Sequence, residues 1–577
     1  MNHEPAASPI PQCTLDDYET RYADRHLLHA AIDKWARETP EQLAVIDADT
    51  GRQYTYRQMA AITTALALQL VELGLRPGDF LATSLPLLPE HIFLEYACFR
   101  VGVIHAPLDL RLKAAEVVRS LEMIHPAAYA FLGRTPHADF GELGRVVQAQ
   151  CPEVRHFIQF APPGETIEGA TSAAVLSAEA EELGRAFAAD PAAERFADYR
   201  AAVAAVEPGS GAQVIYTTGS TGLPKPALLS HRNITCQNMC LAAGFDLGGT
   251  SRMLVNLPPS HVGCQGEQLM TTFFAGGTAV VLHMFDAEKS LAAIERYQVD
   301  AFGQIPAMFE LQWRLPNYEQ FDLSSLRMAL FGGQQVTRPF LERLARMVPR
   351  IGTGLGLSEM AGFVTYSGLT DQIDHLLQGV GWPMPVTPLS IRAPMTADGR
   401  AGAELPAGEV GEICFSGPQV FIDYVNCPEA YRRTVSVDGY CYTGDLGRQT
   451  PRGLEFVGRL KLVIKPKGYQ VHPAQVEEHF CGLTDEVAAC AAVGAPHDVF
   501  SEGIVLFVET KPGKAISRER LEQHAGGIAA YMRPLHYVLF EPGGLPLNRV
   551  AKTDYLQLGQ RAHAEVDALR ARGGWDR

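Results

Sequence analysis

From Leu43 onward, short apolar runs alternate with longer stretches in which apolar residues recur every three or four positions. LAVIDAD predicts a strand. Across Thr55–Gly74, the residues Met59, Ile62, Leu66, Leu70 and Leu73 fall at helical spacing, and Gly74 closes the pattern. DFLATSLP predicts a second strand, LPEHIFLEYACFRVG a helix, and PLDLRL a turn. The same rhythm returns in RMLVNLP, CQGEQLMTTFFAGG, TAVVLH, AEKSLAAIERYQ and DAFGQIP. Strands separated by such helices predict βαβ units and parallel sheets covered by helices. Between Ala161 and Gln213 the chain turns Ala/Glu-rich with few aromatics and reads as a helical surface connection. After Leu405 the pattern changes to Gly-punctuated β-like pieces, GEVGEICFSGP and GLEFVGR, and a compact block follows Gly458. There is no internal repeat and no low-complexity tail.

Composition narrows the function class. The 577 residues are 47% hydrophobic, too long for one unit at roughly 100–200 residues per domain and too apolar for disorder. With 65 acidic against 49 basic side chains the formal charge is −16. That excludes the uniform basic field of a dedicated nucleic-acid binder, so any polyanion must be met locally. The 11 cysteines form no C-x-x-C and no short Cys/His cluster, which predicts reduced thiols and a cytoplasmic protein. MNHEPAASPIPQ has neither a basic nor an apolar region of the signal-peptide kind. Apolar stretches stop short of membrane length: Leu81–Gly102 is broken by Glu90, His91, Glu95 and Arg100. No transmembrane segment is expected.

The strongest chemical signal is Ile215-Tyr216-Thr217-Thr218-Gly219-Ser220-Thr221-Gly222-Leu223-Pro224-Lys225. Hydroxyls between glycines let backbone and side-chain donors converge on an anion, and Lys225 adds a point charge. This reads as a phosphate loop, against the alternative of an ordinary Ser/Gly turn. It is not a Walker A loop, because Pro226 follows Lys225 and the spacing differs.

TTGSTGLPK followed by SHRN resembles the signature of the adenylate-forming superfamily, which includes acyl- and aryl-CoA synthetases, firefly luciferase and peptide-synthetase adenylation domains. Further motifs follow in that family's order. LPPSHVG resembles the substrate-side motif with His261, and LFGGQQ (330–335) the adenine-flanking segment. GLGLSEM (354–360) resembles the magnesium-associated motif, YTGD (442–445) the ribose-binding turn, GRLKLVIKPKGYQVHPAQVEE (458–478) the hinge, and LPLNRVAKTDY the segment with the adenylation lysine, Lys552. The resemblance spans nearly the whole chain and points to the acyl-CoA synthetase and luciferase-like branch.

The resemblance implies an α/β fold: a large N-terminal region of helix-flanked sheets with a small β-barrel-like subdomain, residues 1–460, and a mobile α+β C-terminal lid, residues 461–577. It implies nucleotide contacts from Thr217, Thr218, Gly219, Ser220, Thr221, Gly222, Lys225, Gly333, Gln334, Leu355, Gly356, Ser358 and Arg459, with Asp445 accepting the ribose hydroxyls. Glu359 would hold Mg²⁺, an ion that prefers few protein ligands plus substrate oxygens. Lys552 would stabilise charge in adenylation, Lys461 would be the hinge, and Lys465 would serve thioester formation. Lys467, Gly468 and Tyr469 would contact coenzyme A, Gly468 letting a pantetheine arm pass close to backbone. Val262, Cys264, Gly332 and Met360 are candidates for the acid pocket. His261 either shapes that pocket or packs in the core.

The implied reaction joins a carboxylic acid to ATP as acyl-AMP and then transfers the acyl group to coenzyme A. The small, apolar pocket candidates favour a medium- or long-chain acyl acid. Alternatives are transfer to a carrier-protein thiol, or a nucleotide-binding homologue with reduced turnover. Four positions depart from the family pattern: Pro226, Leu355, Asp423 and Ala551. None removes a charged catalytic group.

Overall fold

The computed structural model describes residues 13–135, 138–218, 224–333, 336–464, 466, 471–548 and 552–576. The predicted elements form where the periodicity places them. LAVIDAD gives the strand Leu43–Asp47, and the helical stripe gives Tyr56–Glu72. The Thr55 hydroxyl accepts from the Gln58 N–H while the Gln58 side chain accepts from the Thr55 N–H, a capping box that fixes the helix start.

Two large sheets dominate. One orders its seven strands with Ile351–Thr353, Met328–Phe331, Ala301–Gln304, Arg252–Val255, Thr278–Val281 and Leu43–Asp47 in parallel, ending on the antiparallel edge Gln53–Thr55. The other has eight strands. Ala170–Ser172, His156–Phe160, Ala128–Leu132, Phe80–Ser84, Ile104–Pro107 and Gly211–Thr218 run parallel, and Pro224–Ser230 and Asp423–Tyr424 add antiparallel to one end. The main core joins Val45, Met253 and Met328 of one sheet to Leu81, Ala128 and Ile215 of the other through helix residues such as Leu66, Leu70, Phe99 and Met239. Burial on both faces is why these strands read as continuous apolar runs.

Two expectations change in detail. The segment from Ala161 carries the helices Ala173–Ala189 and Ala197–Ala204 as read, but Ala170–Ser172 also forms an edge strand, too short to show a period. The β-rich region after Leu389 is an open antiparallel sheet of Leu389–Arg392, Gly411–Phe415, Cys441–Thr450 and Gly453–Arg459, with no closed barrel among the described residues.

The C-terminal block is a separate unit. Its sheet contains Val487–His497, Ser501–Thr510 and His536–Phe540. Alternate residues feed opposite cores: Ala492, Leu506 and Val508 pack with the helix Pro473–Cys481, whereas Ala491, Val505 and Phe507 pack with Tyr555–Ala571. That period of two is what a sheet covered on both faces requires. Among the described residues no helix is long and apolar enough to cross a membrane.

Candidate active site

The phosphate-loop signature falls at a hairpin between Gly211–Thr218 and Pro224–Ser230, where Thr217 pairs with Lys225 and Thr218 with Pro224. Gly219, Ser220, Thr221 and Gly222 lie outside the described residues, as do Gln334, Lys465, Lys467, Gly468, Tyr469 and Ala551. Thr217 is buried, and its hydroxyl has no partner among the described residues. Pro226 sits inside its strand opposite Tyr216, and its carbonyl accepts from the Val425 N–H. Here the missing N–H of proline is tolerated, and Asp423–Tyr424 completes the sheet edge.

That edge links two expected residues, Lys225 and Glu359, through one that the sequence did not single out. The Lys225 ammonium stands 4.6 Å from the Tyr424 ring centre, and the Tyr424 hydroxyl donates to Glu359 Oε1 at 2.6 Å. Glu359 lies in the 3₁₀ turn Ser358–Met360, whose exit needs Ala361 at φ 59°. An ionised carboxylate has about four lone-pair sites. With one taken by Tyr424, Glu359 retains lone pairs that would suit Mg²⁺, an ion content with few protein ligands.

Asp445 and Arg459 face each other across neighbouring strands, with Arg459 Nε 2.9 Å from Asp445 Oδ1. The pair lacks hydrogen-bond geometry, so Oδ1 remains a buried acceptor without a donor. Burial raises the Asp445 carboxyl pKa, against the lowering effect of Arg459 and Lys552. Asp445 is 1% exposed, and its Oδ1 is a buried acceptor held beside the Arg459 guanidinium. The turn before it is held by the Gly444 N–H donating to Glu412 Oε1 at 2.9 Å.

Lys552 comes from the C-terminal block and enters the same site. A Cβ on Gly333 would lie 3.2 Å from its Cε and 3.6 Å from its Nζ. Its ammonium pKa is lowered, first by burial and then by Arg459, while Asp445 and Glu267 oppose the shift. Its backbone is clamped by Asn548, whose N–H donates to the Lys552 carbonyl at 2.6 Å and whose Oδ1 accepts from the Lys552 N–H at 3.0 Å.

On the acid side, His261 Nδ1 accepts from the Gly263 N–H at 3.0 Å. A backbone N–H can only donate, so the neutral ring carries its proton on Nε2. Burial, with Lys552 next, holds the imidazole pKa down at about 4. His261 is half-buried and presents a neutral Nε2–H. The predicted helix after it winds as a π-helix over Gly263–Met270 before becoming α-helical at Thr271–Ala275. Asn238 Nδ2 at 2.8 Å and Thr271 Oγ1 at 2.7 Å both donate to the Gly266 carbonyl, supporting the wider winding. Val262, Cys264 and Met360 are buried in the main core, with Cys264 at 0% exposure, and Gly332 lies against Phe363. Leu355 is half-buried on that core, and its N–H donates to Thr365.

Glu267 was missed, although it is the only charged residue between His261 and His283. That isolation was the available signal. Its carboxylate accepts from the Phe363 N–H and lies 3.0 Å from where a Cβ on Gly356 would stand. Burial pushes its pKa up to about 7, the Phe363 N–H and Lys552 opposing. Elsewhere, Asp47, Asp49 and His283 also cluster at metal-ligand distances. There Arg52 and Lys289 already supply cations, Arg52 at 3.1 Å from Asp47 and Lys289 at 2.5 Å from Asp49.

The site thus unites a cationic and hydroxyl-bearing strand pair, a carboxylate with room for a metal, an orphaned acceptor, a neutral imidazole donor and a lysine delivered by a second unit. Among curated proteins, the chain is 28% identical over 487 residues to feruloyl-CoA synthase of Amycolatopsis sp, covering 84% of this chain and 89% of that protein. It is 30% identical over 504 residues to 4-coumarate–CoA ligase-like 6 of Oryza sativa subsp. japonica, covering 83% and 77%. It is also 29% identical over 517 residues to the fatty acid–[acyl-carrier-protein] ligase ScoC of Streptomyces coeruleorubidus, covering 86% and 91%. In fold it is similar to ATP-bound MatB from Rhodopseudomonas palustris, with a TM-score of 0.75, 22% identity, and 93% and 99% of the two chains covered. Residues 32–425 match the model of the AMP-binding enzyme family and residues 475–552 that of the AMP-binding enzyme C-terminal domain, so the chain belongs to the AMP-binding enzyme family.

Proposed function

We propose that this protein is an AMP-forming acid–CoA ligase in which residues 461–577 act as a mobile lid on an adenylating region, residues 1–460. The observation that carries this reading is the arrival of Lys552, from the C-terminal unit, beside Gly333 and within the electrostatic reach of Asp445, Glu267 and His261. An ammonium there meets the carboxylate oxygen and α-phosphate as negative charge builds during adenylation, which is electrostatic stabilisation of the transition state.

Asp445 binds the ribose hydroxyls, Thr217 and Lys225 the phosphates, and His261 Nε2–H the acid's carboxylate. Gly356 and Leu355 border the adenine. Bound at Glu359, Mg²⁺ supplies neutralisation of phosphate charge. The acid attacks the α-phosphorus, a P–O bond forms and the bond to pyrophosphate breaks, giving acyl-AMP. The lid then turns about Lys461, in the short helix Leu460–Leu462, and Lys465 comes to the site as a thiolate attacks the acyl carbon and AMP leaves.

Coenzyme A is the acceptor in this reading, with Lys467, Gly468 and Tyr469 along its path. A carrier-protein thiol is the second acceptor, supported by the ScoC relative. The apolar Val262 and Met360 support an acid with an apolar body, in the finer reading a medium- or long-chain acyl group. The eleven cysteines, all free thiols, support a cytoplasmic location.

An acid panel read by ATP–pyrophosphate exchange tests adenylation whatever the acceptor, and AMP release with CoA against holo carrier protein then decides the thiol. ATP binding without exchange for any acid would leave only a nucleotide-binding homologue.

A further inference from the structure

Two polar groups at the acid side, the buried Gln237 and the half-buried Glu267, have no role in the chemistry above. Gln237, on the helix His231–Gly244, is 0% exposed, yet its Nε2 has no hydrogen-bond partner. Its orientation is fixed from behind. The Gly266 carbonyl can only accept, so the nitrogen of the Asn238 amide faces it at 2.8 Å. The same Nδ2, whose two hydrogens are shared among Gly266, Thr271 Oγ1 at 2.9 Å and Gln237 Oε1 at 3.0 Å, faces the Gln237 oxygen and so turns Gln237 Nε2 away from Asn238. It points to Gly362, where a Cβ would lie 2.6 Å from Gln237 Nε2 and 2.9 Å from Glu267 Oε1. Gly362 has φ 125°, a conformation only glycine takes readily, so this face carries no side chain. Gly356, also beside Glu267 Oε1, and Gly332 let the Phe363 ring pack close on the same side.

A donor without an acceptor and a carboxylate thus converge on the same glycine, next to the imidazole and ammonium assigned to the reacting carboxylate. The group that satisfies both is one that donates and accepts at a single atom. An ammonium would pair with Glu267 and leave the Gln237 N–H unmet, and a carbonyl would meet Gln237 but add no donor to Glu267 beyond the Phe363 N–H. A hydroxyl donates to Glu267 and accepts from Gln237. A wholly apolar acid would leave the Gln237 N–H buried and unpaired, a penalty of about 1–3 kcal/mol, and would leave Glu267 with the Phe363 N–H alone.

Resting on the ligase reading, we infer that Glu267 and Gln237 are specificity-determining residues that select a hydroxyl-bearing carboxylic acid, an apolar body carrying one hydroxyl, over its deoxy counterpart. Discrimination of this kind is strong, because a site built around a substrate hydroxyl loses two bonds when the hydroxyl is absent.

The test uses matched pairs of acids, each with and without one hydroxyl, aliphatic and aryl, with the hydroxyl at graded distances from the carboxyl. ATP–pyrophosphate exchange is measured on the full-length protein. For at least one pair the hydroxy acid is expected to exceed its deoxy partner in kcat/KM by about ten-fold or more. Glu267→Leu and Gln237→Leu should each reduce that ratio at least several-fold, which a merely structural role would not do because a folding defect lowers both members of a pair alike. Deoxy acids equal or superior in every pair with the wild-type protein would overturn the inference without any variant, while leaving the ligase reading intact. An undiminished ratio in both variants would overturn it too. No exchange with any acid would remove the ligase reading and this inference with it.

Discussion

The Lys552 side chain lies on Gly333, a residue at φ 88°, with 3.2 Å between the lysine Cε and the place a Cβ would occupy. The two residues belong to different units of the chain, so this contact joins them at the site. Gly333→Val should oppose it twice, through the left-handed backbone and through the crowded methylene. Adenylation should fall at least ten-fold while acyl-AMP supplied ready-made is still consumed in the thiol step. Full pyrophosphate exchange in this variant would separate Lys552 from Gly333 during turnover.

Lys552→Ala should lower pyrophosphate exchange by about 10²–10³, the usual effect of deleting one preorganised electrostatic donor. Thioester formation from supplied acyl-AMP should survive. Loss of both halves in equal measure would assign the lysine to stability.

Asp445→Ala removes the buried orphan acceptor. If that oxygen meets ribose hydroxyls, each lost charge-assisted bond costs about 1.5–3 kcal/mol, roughly a ten-fold to hundred-fold rise in the Kd for ATP by calorimetry. Unchanged affinity would leave Asp445 as a partner of Arg459 alone.

Lys461→Pro fixes φ near roughly −65° in the short helix between the two units. With the lid held as it stands here, against Gly333, adenylation should be retained better than the CoA-dependent release of AMP. Equal losses in both half-reactions would withdraw the turning lid.

Acid should destabilise the fold. Burial holds the imidazole pKa of His29, His105 and His231 at about 3 and that of His91 at about 4, against an ordinary value of 6.5. Between those limits the unfolded chain binds more protons than the folded one, so stability is lost as pH falls from 6.5 toward 4. Glu95, pushed up to about 8 by burial, acts oppositely and favours the fold less as pH rises from 4.5 to 8. Thermal melts should therefore show a maximum near pH 6.5 with a steep acid limb, and a flat profile down to pH 4 would contradict the neutral buried histidines.

The sequence by itself determined the alternation of strands and helices, the family and most of the charged residues at the site, because those signals are local. Periodicity reports which face of an element is buried, and Lys225, Glu359, Asp445 and Lys552 sit in short motifs whose spacing a linear reading can see. What only the tertiary structure decided are relations between distant positions. Tyr424 reaches Glu359 because its strand pairs with the one after the phosphate loop. The four strands after Leu389 stay open because pairing closure depends on partners that no local pattern encodes. The His261 tautomer follows from one backbone bond, and Glu267 and Gln237 face a common glycine only after a π-helix and an α-helix have packed together. A lone glutamate in an apolar run carries no period and no motif. Its meaning comes from what surrounds it in space, here Gly356, Gly362 and Phe363, which no local pattern in the sequence brings to it.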